Sequence, residues 1–338
     1  MNAPAVSALG HSGLKVPRLW LGSMMFGGPT DEAVSREIVA ATRDAGLFAI
    51  DTADTYTEGE SERIVGRLIA ADRSRWVLAT KVANPVGTLP NDRGLSRRWL
   101  LAEIDNSLAR LGTDWIDLWY MHRDDETTPI EEVVSTMGRL IDAGKIRYYG
   151  VSNFRAWRIA RMVEVARRMG VPPPIACQPP YSAVTRQIEV EVLPVCEHYG
   201  VGVVAYSPLA RGVLTGKYKP DAQPEPGSRA ARGDRRILQT EFRVESMQLA
   251  QQIKAHAEAR GMSASQFAIA WALNNQLVHG VIGGPRTLEQ WNDYLAALPL
   301  VLDAADEAFI DSLVAPGSAS THGYHDPQYP VVGRRSRA

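Results

Sequence analysis

Residues 47–56 read LFAIDTADTY, an apolar run that passes into a carboxylate at Asp51 and ends on the phenol of Tyr56. A short apolar run bounded by polar residues predicts a buried strand, with Asp51 at its carboxyl end. Two further apolar runs end in the same way, at Lys81 and at His122. Polar groups at the carboxyl ends of successive strands predict an active site on a parallel α/β scaffold.

Runs of this kind recur along the chain and alternate with segments of helical period, which is the pattern of repeated βα units. We predict eight strands, at Leu19–Gly22, Phe48–Asp51, Val77–Thr80, Ile116–Met121, Tyr148–Val151, Ile175–Cys177, Val203–Tyr206 and Val278–Ile282. Asp31 and Ser96 stand where helix caps are expected, and glycines follow several helical segments. Because composition shows no break, we predict one domain over residues 1–338, a single (β/α)8 TIM barrel with extra C-terminal helices.

Three segments fall outside this alternation. Val6–Gly10 and Leu14–Val16 precede the first strand and predict an N-terminal hairpin that caps the barrel bottom. Lys219–Arg236 is rich in Pro, Gly and Arg and predicts a long loop. The polar composition of residues 315–338 predicts a flexible tail, with disorder over Gly333–Arg337.

Composition argues against several classes of partner. With 37 basic and 38 acidic residues, the chain offers no electrostatic reason to bind nucleic acid or an anionic membrane. No apolar run approaches the length of a membrane span, and Met1–Pro4 lacks the features of a signal peptide. Two cysteines, Cys177 and Cys196, make no disulfide framework, so we predict a cytoplasmic protein.

The polar groups at the strand ends together predict an acid catalyst. A free tyrosine has a pKa of about 10 and is a poor acid at neutral pH. Lys81, held charged by Asp51, would stabilise the phenolate of Tyr56 and lower its pKa. His122 would hydrogen-bond a substrate carbonyl or share the proton with Tyr56. Such an acid suits a step in which a carbonyl oxygen gains a proton while its carbon receives hydride.

Each of these residues also has an ordinary structural interpretation. Tyr56 would then be a rim residue, Lys81 a solvated strand end, His122 a satisfied histidine at the barrel mouth and Asp51 a cap of the following turn. Four coincidences at strand ends explain the pattern less well than one site does. Spacing alone leaves the reaction open.

Further motifs occur in order along the chain. After DTADTY at 51–56 come GESE at 59–62, TK at 80–81, DLWYMH at 117–122, GVSNF at 150–154, YSPL at 206–209 and GVLTGK at 212–217. Together they resemble the motifs of the aldo-keto reductase family, most of all its bacterial branch near the potassium-channel β subunits. The resemblance covers nearly the whole chain, from Leu9 to about Leu298.

The resemblance implies NADPH-dependent reduction of an aldehyde or ketone, with Tyr56 as proton donor and Asp51, Lys81 and His122 in support. No Gly-x-Gly-x-x-Gly follows a strand, which agrees with a barrel that binds the dinucleotide without a Rossmann domain. Cofactor contacts are assigned by the resemblance to Ser23, Met24, Asp51, Ser152, Asn153, Gln178, Tyr206, Ser207, Pro208, Leu209, Gly212, Lys217, Arg229, Gly284, Arg286, Gln290 and Asp293. Among them, Tyr206 resembles the aromatic residue that stacks on the nicotinamide.

The phosphate end of the cofactor is predicted from residue chemistry as well. GGPRT at 283–287 follows the last strand and opens a helix, whose first N–H groups favour anions. Arg286 either pairs with the adenosine 2′-phosphate, which favours NADP over NAD, or is a solvent-exposed arginine. The loop containing Arg229 either folds over the pyrophosphate or is an ordinary insertion. Asp293-Tyr294 stands where the family often has Glu-Asn near the adenine.

The loops after the strands predict the walls of the substrate site. Ser23–Phe26 supplies apolar side chains, and Asn84-Pro85 follows the lysine motif. Arg123 either binds an acidic group of a substrate or pairs with Asp124 or Asp125. We therefore expect a small-molecule carbonyl substrate whose identity the sequence does not specify.

Two other functions remain open at this stage. One is a cofactor-binding regulatory subunit that turns over slowly, although retention of all four catalytic residue types favours the enzyme. A barrel lyase would use Lys81 as a Schiff-base nucleophile, which requires an uncharged lysine and conflicts with Asp51 nearby. His322, Tyr324 and His325 lack further ligands at suitable spacing, so we predict no metal site. An oligomer is possible and is not specified by the sequence.

Overall fold

The computed structural model describes residues 5–332, and at its centre is a closed barrel of eight parallel strands. In chain order the strands are β1 (Val6–Ala8), β2 (Lys15–Pro17), β3 (Leu19–Gly22), β4 (Ala49–Asp51), β5 (Val77–Val82), β6 (Ile116–Met121), β7 (Ile146–Ser152), β8 (Ala176–Gln178), β9 (Gly202–Tyr206) and β10 (Val278–Gly283). Strands β3 to β10 follow one another around the barrel, and β10 pairs with β3 to close it. The predicted (β/α)8 barrel is confirmed.

Helices pack around the outside of the barrel. They are α1 (Glu32–Asp44), α2 (Glu60–Ile69), α3 (Arg97–Leu111), α4 (Ile130–Asp142), α5 (Ala156–Met169), α6 (Val192–Tyr199), α7 (Arg235–Gln239), α8 (Val244–Ala259), α9 (Ala264–Asn274), α10 (Leu288–Leu295) and α11 (Ala304–Leu313). The side chains of Asp31 and Ser96 cap α1 and α3 by accepting from backbone N–H groups, as predicted. Helices α8 and α9 both precede β10 and α11 follows α10, so the predicted extra C-terminal helices are present.

The hairpin of β1 and β2 covers the amino-terminal end of the barrel. Leu9 and Val16 are fully buried and pack with the side chains that fill the barrel interior. The backbone N–H of His11 donates to the carbonyl of Gly200 at 2.8 Å, immediately before β9 begins. The predicted hairpin cap is therefore confirmed, and only the carboxyl-terminal end of the barrel remains open.

The barrel interior is filled with side chains. Trp20, Leu118 and Tyr120 are fully buried there, and a larger apolar layer lies between the strands and the helices. Gly150 leaves room for the ring of Tyr120, because a Cβ at this position would lie 2.6 Å from Tyr120 Cε1. A filled interior confines any binding site to the carboxyl-terminal mouth.

The two irregular segments meet near that mouth. Residues 219–234, most of the predicted loop, contain neither helix nor strand, and α7 begins at Arg235. Arg236 forms an ion pair with Asp326 at 2.5 Å, and the guanidinium of Arg243 lies 3.7 Å from the ring centroid of Tyr324. These contacts join residues 315–332, part of the predicted flexible tail, to the barrel.

Two predictions concern residues outside the described range. They are the disorder of Gly333–Arg337 and the interpretation of Met1–Pro4 as lacking a signal peptide. Among residues 5–332, no helix combines the length and the apolar character that a membrane crossing requires.

Candidate active site

The carboxyl ends of β4, β5 and β6 bring the four predicted catalytic side chains together. Asp51 is the last residue of β4, Lys81 lies near the end of β5 and His122 follows β6. Tyr56 begins a short 3-10 turn between β4 and α2. Because parallel strands end at the same edge, residues far apart in sequence converge at the mouth of the barrel.

Lys81 is the central residue of this group and is fully buried. Its ammonium donates to Asp51 Oδ1, to the carbonyl of Thr52 at 2.7 Å and to the hydroxyl of Tyr56 at 3.2 Å. The second carboxylate oxygen of Asp51 accepts from Gln178 Nε2 at 2.8 Å. The ammonium is therefore held against the phenol by Asp51 and Thr52 at the end of β4, and Gln178 on β8 holds the carboxylate in place.

Burial and neighbouring charge shift the pKa values of Asp51 and Lys81 in opposite directions. Burial raises the pKa of Asp51, and the ammonium of Lys81 opposes this rise. Burial alone would lower the pKa of Lys81, but Asp51 and Tyr56 raise it above its ordinary value. Lys81 is therefore charged at neutral pH.

The pKa of Tyr56 differs from the sequence-based expectation. Lys81 acts to lower it, as predicted, but burial raises it by more, so that the net pKa lies above the ordinary value. The expectation was wrong because the sequence does not reveal how deeply the phenol is enclosed. Tyr56 therefore keeps its proton at neutral pH, beside a cation that can stabilise the phenolate once the proton leaves.

His122 presents a neutral imidazole next to Tyr56. Burial, together with the charges of Lys81 and Arg123, holds its pKa well below the ordinary value. Asn84 Nδ2 lies 3.0 Å from His122 Nδ1, and an amide donating to Nδ1 places the ring hydrogen on Nε2. The two rings meet edge to face with centroids 5.8 Å apart. The site therefore combines a phenol and an imidazole N–H, both able to donate to one acceptor.

Asp54, a second acid in the same turn, is buried, and nothing in the sequence indicated this. Within residues 5–332 neither of its carboxylate oxygens has a hydrogen-bond partner. Burial, and then the nearby charges of Glu62 and Glu103, hold its pKa well above the ordinary value. Its position in the motif carries no signal of burial, which arises only when α2 and α3 pack beneath the mouth.

We expect Asp54→Asn to stabilise the protein, and to do so more strongly as the pH rises. The folded-state pKa of Asp54 lies above the unfolded value of 3.8. The carboxyl therefore lowers the free energy of unfolding as the pH rises above 3.8, and this loss grows until the pH reaches the folded-state pKa. A neutral amide of similar shape removes this loss. Thermal unfolding at pH 5 and pH 8 should show a variant more stable by about 1–3 kcal/mol, with the larger gain at pH 8. A gain independent of pH would contradict this explanation.

Tyr56 and His122 open into a cavity of about 700 Å³ that extends across the barrel mouth. The predicted site residues that line it are Met24, Asp51, Tyr56, His122, Ser152, Asn153, Gln178, Tyr206, Ser207, Pro208, Leu209, Gly212, Lys217, Arg229, Gly284, Arg286, Gln290 and Asp293. Ser23 does not line the cavity: it is fully buried, and its hydroxyl donates to the carbonyl of Asp51 at 3.0 Å. Gly22 and Met24 line it on either side of Ser23.

A hydrogen-bonded chain connects the predicted nicotinamide contacts. Asn153 Nδ2 donates to the carbonyl of His122 at 2.8 Å and to Ser152 Oγ at 3.0 Å. Asn153 Oδ1 accepts from the hydroxyl of Tyr206 at 2.8 Å. Ser152 Oγ in turn donates to the carbonyl of Gln178 at 2.7 Å. These bonds fix the relative positions of residues at the carboxyl ends of four neighbouring strands, β6 to β9.

Backbone strain is concentrated at the same end of the barrel. Among the described residues, positive φ angles outside glycine occur at Thr57, Glu58, Ala83, Asn153, Ser207, Ala210 and Arg211. All of them follow β4, β5, β7 or β9 at the carboxyl end. Such conformations cost of the order of 1–3 kcal/mol each and persist where the surroundings hold them, as is typical of functional sites.

The part of the cavity that is lined by residues following β9 and β10 is strongly basic. Its cationic lining residues are Arg211, Lys217, Arg229, Arg232, Arg235, Arg236 and Arg286. Burial, and then the charge of Arg286, lower the pKa of Lys217. Arg229 is paired with Asp234 at 2.8 Å and Arg236 with Asp326. Lys217, Arg229 and Arg286 were predicted from the sequence. The close spacing of arginines over 229–236 was the signal for Arg232, Arg235 and Arg236, whereas nothing in the sequence indicated Arg211.

The loop between β9 and α7 reaches across to the start of α10. The carbonyl of Gly227 accepts from Arg286 Nη1 at 2.9 Å and from Arg232 Nη1 at 2.6 Å. Asp293, by contrast, is occupied elsewhere, because its Oδ1 accepts from Ser263 Oγ at 2.8 Å and from Gln266 Nε2 at 2.9 Å. The loop thus closes over the basic part of the cavity, while the Asp293 carboxylate is engaged at the start of α9.

A family model described as "Aldo/keto reductase family" matches residues 18–315 of the chain. The chain belongs to the aldo/keto reductase family. This confirms the family recognised from the sequence motifs, and it supports an oxidoreductase that acts on small carbonyl compounds.

Relatives of this aldo/keto reductase carry names of two kinds. A probable voltage-gated potassium channel subunit beta of Oryza sativa subsp. japonica is 36% identical over 298 residues, covering 87% of this chain and 90% of the relative. An uncharacterized oxidoreductase, YrpG, of Bacillus subtilis is 35% identical over 333 residues, covering 94% and 98%. The L-glyceraldehyde 3-phosphate reductase of Escherichia coli K12 is 34% identical over 321 residues, covering 91% and 92%. The predicted proximity to channel β subunits and bacterial oxidoreductases is confirmed.

The environment of Lys81 in this aldo/keto reductase disfavours Schiff-base chemistry. A lysine nucleophile must be uncharged. Lys81 is fully buried against Asp51 and has a raised pKa, so its ammonium is the stable form.

Proposed function

We propose that the protein is an NADPH-dependent oxidoreductase that reduces an aldehyde or ketone to the alcohol, with Tyr56 as the proton donor. The observation that carries the proposal is the 3.2 Å hydrogen bond from the buried ammonium of Lys81 to the hydroxyl of Tyr56 at the cavity. Asp51 keeps this ammonium charged, and His122 lies beside the phenol. Family membership supports carbonyl reduction as the reaction class.

The lining of the cavity fits a phosphorylated dinucleotide. The aromatic ring of Tyr206 and the amide of Gln178 lie on the catalytic side, whereas Lys217, Arg229 and Arg286 supply cationic groups on the other side. Arginine forks bind phosphate oxygens through two parallel N–H donors. We infer that these cations would hold the phosphates and that Tyr206 would contact the nicotinamide.

The protein's residues would activate the carbonyl as follows. NADPH, when bound, supplies the hydride for the carbonyl carbon. The hydroxyl of Tyr56 and the Nε2–H of His122 donate to the carbonyl oxygen and hold it in place. Tyr56 then transfers its proton to that oxygen, and the ammonium of Lys81 stabilises the phenolate that remains. Asp51 offsets the cost of burying the lysine charge.

Arg286→Ala should raise the KM for NADPH by about 10- to 100-fold, because charge-assisted bonds to a phosphate contribute about 1.5–3 kcal/mol. The KM for NADH should change little, since that cofactor lacks the 2′-phosphate. Steady-state kinetics with both cofactors measures the difference, and Arg98→Ala, at an exposed arginine of α3, controls for the lost charge. Equal effects on both cofactors would remove Arg286 from a 2′-phosphate role.

The proposed reaction itself is tested by NADPH absorbance with a panel of aldehydes, ketones and sugars. Oxidation of NADPH that depends on one of these compounds supports the proposal, and a wild-type protein that binds NADPH but reduces none of them contradicts it.

A cofactor-binding regulatory subunit is the second candidate, favoured by the channel-subunit names among the relatives. A slow turnover number with every substrate would support that candidate.

We also propose a cytoplasmic location. Cys177 and Cys196 are buried free thiols, which suits a reducing compartment. Fractionation of the native cells with an antibody would test this location.

A further inference from the structure

Arg123 lies across the barrel mouth from Arg286. It follows β6, whereas Arg286 follows β10, and in the closed order β10-β3-β4-β5-β6-β7-β8-β9 these two strands are opposite each other. Arg123 directly follows His122 in the chain, and both residues line the catalytic cavity. An anion bound at Arg123 would therefore be separate from the phosphates bound near Arg286.

The acids beside Arg123 are already engaged with other partners. Asp124 accepts from Arg158 Nε and Nη2, both at 2.8 Å. Asp125 Oδ2 accepts from the backbone N–H of Leu95 at 3.0 Å. Arg123 is exposed, and its guanidinium forms no hydrogen bond or ion pair with any residue from 5 to 332. Of the two alternatives drawn from the sequence, pairing with Asp124 or Asp125 is therefore wrong.

Arg123 borders two neighbouring cavities. One is the catalytic cavity, and the other has a volume of about 440 Å³ and shares Pro85 and Arg123 with it. Arg93, a second exposed arginine without an ion pair among the described residues, lines the smaller cavity. The charge of Arg123 contributes to the lowered pKa of His122 and opposes the rise that burial causes in the pKa of Tyr329. Arg123 is thus a cation close to the reacting end of the cavity.

We propose that the substrate carries an anionic group, a carboxylate or a phosphate ester, which Arg123 binds while the carbonyl faces Tyr56 and His122. This inference rests on the proposed carbonyl reduction and specifies its substrate class. A guanidinium binds either anion through two parallel N–H donors, which orients the ligand as well as attracting it. Met24 and Met25 line the same cavity and would contact the carbon chain between the two polar ends.

Two matched substrate pairs test this proposal with NADPH as cofactor. Succinic semialdehyde is compared with butanal, and glyceraldehyde 3-phosphate with glyceraldehyde. The wild type should have a higher kcat/KM for the charged member of at least one pair. Arg123→Met should lower that kcat/KM by about tenfold, mainly through KM, because a charge-assisted pair is lost at a partly solvated site. The neutral members should change little.

Arg98→Met is the matched control, since it removes the same charge from an exposed position outside both cavities. A loss confined to succinic semialdehyde assigns a carboxylate, and one confined to glyceraldehyde 3-phosphate assigns a phosphate. Equal effects of Arg123→Met on charged and neutral substrates, or no effect on either, overturn the role of Arg123 while leaving carbonyl reduction intact. If the wild type reduces these aldehydes without preferring either charged member, this inference alone is overturned. If it reduces none of the four and no compound of the wider panel, the proposed function falls and this inference falls with it.

Discussion

Tyr56→Phe is expected to lower the turnover number for carbonyl reduction by about 10²- to 10⁴-fold, the usual contribution of a positioned general acid. The substitution removes only the hydroxyl that accepts from Lys81 at 3.2 Å, so the walls of the cavity remain in place. Affinity for NADPH should therefore be nearly unchanged. Stopped-flow or steady-state absorbance measures the first quantity, and titration of the bound cofactor's fluorescence measures the second.

Tyr149→Phe is a matched control for this variant. The hydroxyl of Tyr149 is buried on β7 and has no hydrogen-bond partner within residues 5–332, so its removal should not change turnover. The raised pKa of Tyr56 adds a pH test, because the donor stays protonated through neutral pH and the wild-type rate should fall only under alkaline conditions. Near-normal turnover by Tyr56→Phe would exclude this residue as the proton donor.

The sequence predicted that Asp51, Lys81 and His122 lie together because the signals that mark strands and their ends are local. Apolar runs identify the strands, and polar residues at their carboxyl ends must meet at one mouth once the barrel closes. Asp51, Lys81 and His122 could therefore be brought together without coordinates. The motifs then supplied the family, which a family-model match confirms.

Features that depend on packing between distant segments could not be predicted in this way. Tyr329 lines the cavity because the ion pair between Arg236 and Asp326, 90 residues apart, holds the C-terminal segment near the mouth. Gly22 and Met24 line the cavity, whereas Ser23 between them does not. The sequence around Ser23 does not reveal which of these residues face the cavity. The net pKa of Tyr56 depends on a balance between burial and charge, and only the structure sets that balance.

Lys81→Met is expected to abolish most carbonyl reduction and also to destabilise the fold by about 3–5 kcal/mol, because removing one partner of a buried ion pair leaves the other uncompensated. Asp51, which is 2% exposed, would then keep only Gln178 Nε2 as a side-chain donor. Urea unfolding measures the loss of stability, and NADPH absorbance measures the loss of turnover. A variant as stable as the wild type would show that the pair does not carry full charges in the folded protein.

The double variant Asp51→Asn/Lys81→Met separates the structural role of the ion pair from its chemical role. Replacing both charges removes the stranded carboxylate, so most of the lost stability should return. Turnover should not return, because the phenolate of Tyr56 would still lack the ammonium that stabilises it. If turnover recovered together with stability, Lys81 would act only by supporting the fold, and the acid at Tyr56 would not depend on a neighbouring charge.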